Sequence, residues 1–156
     1  MAARFISYKA MKRMHQFYER FISLKGEPAS IAAGLAIGVF VGVTPTIPFH
    51  TAIIVAVSLL LKQNITAAYL GTWLISNPVT IPFFYLSQYH LGRLLLDMGP
   101  YEFDFTDYSL SAVVAAGWQI LLPLQMGGII MAPLFAVPAY YIANRLISTI
   151  RKKGGS

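Results

Sequence analysis

Three long stretches without a formal charge constrain this chain more than any other feature. No Asp, Glu, Lys or Arg occurs from Pro28 to Leu61, from Gln63 to Gly92, or from Tyr108 to Asn144. Each stretch exceeds the roughly 20 residues that a membrane-spanning helix needs. Composition agrees: 56% of the 156 residues are hydrophobic and 12% are charged, against about 25% charged in an ordinary soluble domain. A small chain has a high ratio of surface to volume, so this few charges cannot clothe it in water. The sequence predicts an all-α, polytopic membrane protein rather than a soluble helical protein with an unusually apolar core.

The net charge of +6 is unevenly placed. Arg4, Lys9, Lys12, Arg13, Arg20 and Lys25 precede the first apolar block, and Arg145, Arg151, Lys152 and Lys153 follow the last. Basic clusters that flank apolar blocks match anionic headgroups and the positive-inside rule better than they match nucleic acid. The expectation is that both termini face the cytoplasm. There is no cysteine, which excludes disulfides, thiolate nucleophiles and Cys-type zinc sites. The first 25 residues lack the uninterrupted apolar core of a secretory signal peptide.

The chain divides into residues 1–26, 27–147 and 148–156. In the first, Phe5, Tyr8, Met11, Met14, Tyr18, Phe21 and Ile22 recur at helical spacing with basic residues between them. This pattern predicts a basic amphipathic helix in the membrane interface, preferred over a soluble helix packed on a partner. The second is one membrane domain of three blocks, 28–61, 63–96 and 109–145. The third is a basic tail.

Prolines interrupt every block. The first contains TPTIP at 44–48 and the second NPVTIP at 77–82. The tetrapeptide TIPF stands at 46–49 and again at 80–83, an offset of 34 that aligns apolar arms on both sides. Each arm of the first block is too short to cross the roughly 30 Å hydrocarbon core. The expectation is a helical hairpin, re-entrant in the membrane, or a strongly broken helix. Block two is expected to repeat the plan. Block three carries Pro123, Pro133 and Pro138 and is expected to be kinked or folded back. One hairpin with two spans, or three hairpins, would return both termini to one side.

A proline removes an N–H and leaves a helical carbonyl without its donor, and in lipid that carbonyl must find another partner. Thr44, Thr46, Thr51, Asn77 and Thr80 stand at the breaks and can supply one. The functional alternative is that two opposed breaks converge on a substrate. Its candidate residues are Thr44, Pro45, Thr46, Pro48, His50, Thr51, Asn77, Pro78, Thr80, Pro82 and Arg93. His50 is the ionisable group deepest in block one, either a site residue or a hydrogen-bonded packing residue. Arg93 can snorkel to the interface or pair with Asp97. Gly34, Gly38 and Gly42 form a small-residue ladder, fit for packing within the chain or for a homo-oligomer seam. No His/Asp/Glu spacing makes a metal site, no cofactor motif appears, and no nucleophile or carboxylate pair marks an enzyme.

Pro28, Gly34, Gly38, Gly42, Pro45, His50-Thr51, Asn64, the Gly71–Trp73 triplet and above all NPVTIP with Tyr85 and Gly92 resemble the bacterial family catalogued as domain of unknown function 2062. The resemblance covers about residues 27–145. That family often has glycine where this chain has Pro48, so the two differ at the first turn. Similar domains occur fused to glycosyltransferases that use membrane-bound carriers, which implies lipid or lipid-linked sugar handling. Two functions follow as expectations. One is translocation of a lipid, lipid-linked or other small substrate through paired broken helices. The other is a non-transporting scaffold for an envelope-biogenesis complex, with membrane lipids and an envelope protein as partners.

Overall fold

A computed structural model describes residues 11–12, 15–16, 19–20, 23–46, 49–99 and 110–154. Among these residues the chain is all helical, with α1 at Pro28–Val43, α2 at His50–Leu60, α3 at Ile65–Ile75, α4 at Thr80–Leu95 and α5 at Leu110–Gly154. The amphipathic segment falls mostly outside the described residues. Those described there, Met11, Lys12, His15, Gln16, Glu19 and Arg20, are helical and exposed.

Local chemistry sets the helix ends. Pro28 opens α1 at a position where its missing N–H costs nothing. Thr44 precedes Pro45, which disfavours the helical region, and it turns to φ −69°, ψ 137°. Just past the end of α2, Lys62 takes a left-handed φ of 53°. The Lys62 and Gln63 amides then donate to the Leu59 and Ser58 carbonyls at 3.1 and 2.8 Å. Asn64 starts α3 by accepting the Ala67 amide at 2.9 Å.

Block one is a helical hairpin. After α2 the chain is back beside the start of α1, where the Asn64 amide donates to the Ser30 carbonyl at 3.4 Å and Asn64 Nδ2 donates to the Lys25 carbonyl at 3.1 Å. Arg151 Nη2 donates to the Leu24 carbonyl at 2.9 Å, and Nη1 to that of Gly26. One end of the molecule thus joins the α1 entry, the α2–α3 turn and the end of α5.

α1 and α3 pack side by side in the same direction. A Cβ on Gly34 would lie 2.2 Å from the Asn64 carbonyl oxygen, one on Gly38 1.8 Å from that of Ala68, and one on Gly71 2.2 Å from that of Leu35. The glycine ladder is therefore an internal seam between α1 and α3, where only hydrogen permits this approach. Thr72 Oγ1 crosses the seam to the Gly38 carbonyl at 2.8 Å, and Ser76 Oγ to that of Gly42 at 3.0 Å.

α5 runs antiparallel to both α1 and α4. Ile31, Ala32 and Leu35 of α1 cluster with Ala143 and Ile147, while Val39 and Val43 cluster with Ala132 and Ala136. Further along, Phe84 meets Phe135 edge to face at 5.1 Å. A Cβ on Gly127 would lie 1.9 Å from the Gln88 carbonyl oxygen, and one on Gly92 1.7 Å from that of Pro123. α4 thus extends along α5 beyond the end of α1.

Of the forms that the sequence left open, blocks two and three do not take the folded-back one. α3 and α4 run in the same sense relative to α5, so block two is a broken helix and does not repeat the hairpin. Block three does not fold back, because α5 is continuous through Pro123, Pro133 and Pro138. At a rise of about 1.5 Å per residue, α5 reaches about 67 Å and α1 about 24 Å. Among the described residues, the stretch Gly117–Lys152 is the one helix long and apolar enough to cross a membrane. The breaks cut the other blocks into shorter pieces.

Candidate functional site

The first break lies where α1 ends against α4 and α5, and its carbonyls are accounted for one by one. Val41 would bond to residue 45, which is proline; Thr44 Oγ1 takes its carbonyl at 2.9 Å. The Gly42 carbonyl receives Ser76, as above. Gln88 Nε2 donates to the Val43 carbonyl at 2.6 Å. The Thr44 carbonyl receives the Thr46 amide at 2.8 Å and lies 3.2 Å from His50 Nε2. Gln125 Nε2 reaches the Pro45 carbonyl at 3.4 Å. The side chains of Thr44, Ser76, Gln88 and Gln125, with the Thr46 amide, thus replace the donors that the break removes.

The second break is capped locally. Asn77 Oδ1 accepts both the Val79 and Thr80 amides at 3.1 Å, and its Nδ2 donates to the Leu74 carbonyl at 3.2 Å. Thr80 Oγ1 donates to the Ile75 carbonyl. Asn77 with Pro78 next in sequence is the order that starts a helix, so α4 resumes at once. The chain reverses between α1 and α2 but continues from α3 into α4, because only the second break holds such a cap.

The two breaks are neighbours at the same end of the parallel α1–α3 pair, rather than opposed. Thr44 is buried, and Pro45, Thr46 and His50 are half-buried beside it. Asn77 and Thr80 form their own cap. Thr51, Pro78 and Pro82 are exposed, and Pro48 lies outside the described residues. Arg93 is remote, near the end of α4. Its Nη2 donates to the Met98 carbonyl at 3.3 Å, its guanidinium sits 5.5 Å from the Tyr89 ring centroid, and its Nε is buried without a partner.

Beside the first break is a groove of about 790 Å³ between α1, α2 and α5, lined by residues that include Ile37, Phe40, Val41, Ile53, Val57 and Ile129. Its polar lining comes from Thr44, Thr46 and Gln125. Two oxygens nearby lack partners: Thr46 Oγ1 and Gln88 Oε1 are both buried and unbonded. Among the described residues no three His, Cys, Asp or Glu side chains come together to hold a metal.

The residues that sequence reasoning passed over are Gln88 and Gln125. Both stand in charge-free stretches, and Gln88 is 0% exposed. A glutamine inside such a stretch needs an interhelical partner, and that signal was open to reading.

No curated protein and no solved structure matches the chain. The family described as uncharacterized protein conserved in bacteria (DUF2062) matches residues 11–154, and the chain belongs to it.

Proposed function

We propose that this is an integral protein of the bacterial inner membrane that binds a lipid or lipid-linked molecule in the groove beside the first break. The groove carries the reading. Its volume lies within the range of about 300–1,000 Å³ typical of ligand sites, and it joins apolar walls to a few convergent polar groups.

The surface supports the membrane setting. Leu60, Val79, Phe83, Leu94, Leu134 and Ile142 are 81%, 72%, 72%, 78%, 68% and 66% exposed, large apolar side chains on several helices that lipid would cover. In this reading α1 and α2 form a re-entrant hairpin, while α3–α4 and α5 are two crossings. Lys25, Lys62, Arg151 and Lys152 gather at the end where Asn64 and Arg151 tie down Leu24–Gly26. The positive-inside rule makes that end cytoplasmic. The end of α4 at Asp97–Gly99 then faces the periplasm, and both ends of the membrane domain face the cytoplasm.

The test is lipid retention. Protein purified in mild detergent should carry lipid adducts in native mass spectrometry, and Val57→Trp, which fills the groove, should remove them. Adducts that persist unchanged in the Trp variant would end this reading. A second reading, a non-transporting scaffold for an envelope complex, draws on the pairing of the carbonyls from Val41 to Pro45. It predicts that groove-filling substitutions leave cellular function intact.

A further inference from the structure

We infer that the polar end of the lipid held in this groove is an uncharged hydroxyl, so that the occupant is a lipid alcohol of the diacylglycerol type rather than a phospholipid. The inference rests on the groove reading above and assigns the chemistry of its ligand.

Charge is the first argument. Among the described residues that line the groove there is no ionisable side chain. The nearby ionisable residue is His50, already engaged with the Thr44 carbonyl. Arg93 is held at the far end of α4 by Met98 and Tyr89. A phosphate left in an apolar groove without a cation or a set of amide donors would carry a heavy desolvation cost. Thr51 and Ala52, at the amino end of α2, are not among the described residues that line the groove.

Hydrogen-bond valence is the second argument. Thr46 lines the groove, and its buried hydroxyl has no partner. A hydroxyl both donates and accepts. Gln125 lines the same end, with Nε2 turned to the Pro45 carbonyl, which leaves its Oε1 as an acceptor. A turn of the Thr46 side chain brings its hydroxyl into the groove, where a lipid hydroxyl accepts from it and donates to Gln125. That answers an orphaned buried group, which otherwise costs stability, without bringing in charge.

The experiment presents the full chain in detergent with equimolar 1,2-dioleoylglycerol and 1,2-dioleoylphosphatidic acid, which share their chains and differ in the phosphate. Native mass spectrometry reads the two adducts. The expected result is a diacylglycerol adduct at least about 10-fold the more abundant, lost in Val57→Trp. Thr46→Val should cut it about 3- to 10-fold, the worth of one hydrogen bond. Equal adducts, an excess of phosphatidic acid, or a preference untouched by Thr46→Val would overturn the hydroxyl assignment and leave the groove reading standing. If neither lipid binds, or Val57→Trp changes nothing, the groove reading falls and this inference falls with it. The wild-type comparison decides between the two lipids even if a variant fails to fold.

Discussion

Thr72 gives its hydroxyl to the Gly38 carbonyl at 2.8 Å, and the two residues are 34 apart in sequence. That is the separation of the two TIPF copies. Ser76 and Gly42 repeat it one turn on, at 3.0 Å. Equivalent positions of the two repeats therefore face each other across a parallel helix pair. The symmetry relates the first arms only: α2 turns back while α4 continues.

Gly38→Ala should destabilise the protein by about 1–3 kcal/mol, as overpacking does in a tight interior. The added methyl meets backbone at Ala68, which has no rotamer to yield. Gly117→Ala is the control, since nothing lies within 4 Å of a Cβ there. Thermal unfolding in detergent should lower the midpoint for the first and leave it unchanged or raised for the second.

Gln88→Leu should cost about 1–3 kcal/mol by stranding the Val43 carbonyl in a dry interior. The damage belongs at the hairpin tip, so amide exchange at Thr44–Thr46 should accelerate more than exchange in α5. Uniform acceleration would mean that Gln88 acts only on global stability.

Asn77→Ala removes two amide caps from the start of α4 and should cost about 1 kcal/mol, with Asn77→Ser restoring part of it. A loss of cellular function in Asn77→Ala without loss of folded protein, read from membrane fractionation, would show a role beyond capping.

Lys62→Gly should stabilise the hairpin by about 1 kcal/mol, because Lys62 holds a left-handed φ that costs a side-chain-bearing residue that much. A raised unfolding midpoint checks it.

Much of this was legible in the sequence. The uncharged runs, the breaks at 44–48 and 77–80 and the close-packing role of Gly34 and Gly38 all follow from composition and spacing. The direction of each break was not legible, because it depends on whether the residues before the proline can cap a new helix. Asn77 does so, while Thr44 spends its hydroxyl backward on Val41. The continuity of α5 through three prolines was hidden too. Gly92 and Gly127 lay α4 directly along its backbone, a tertiary contact that no local pattern announces. Gln88 and Gln125 were not legible from the breaks themselves, because these donors come from 45 and 80 residues away.

The central claim is that α1 and α2 enter and leave the membrane on one face while α4 carries the chain to the other. The native chain has no cysteine, so single cysteines at the exposed positions Glu27, Lys62 and Gly99 can be labelled from each side with an impermeant maleimide against no background. The account predicts that Glu27→Cys and Lys62→Cys label from the cytoplasmic face and Gly99→Cys from the periplasmic face. Labelling of Glu27→Cys and Lys62→Cys from opposite faces would contradict it.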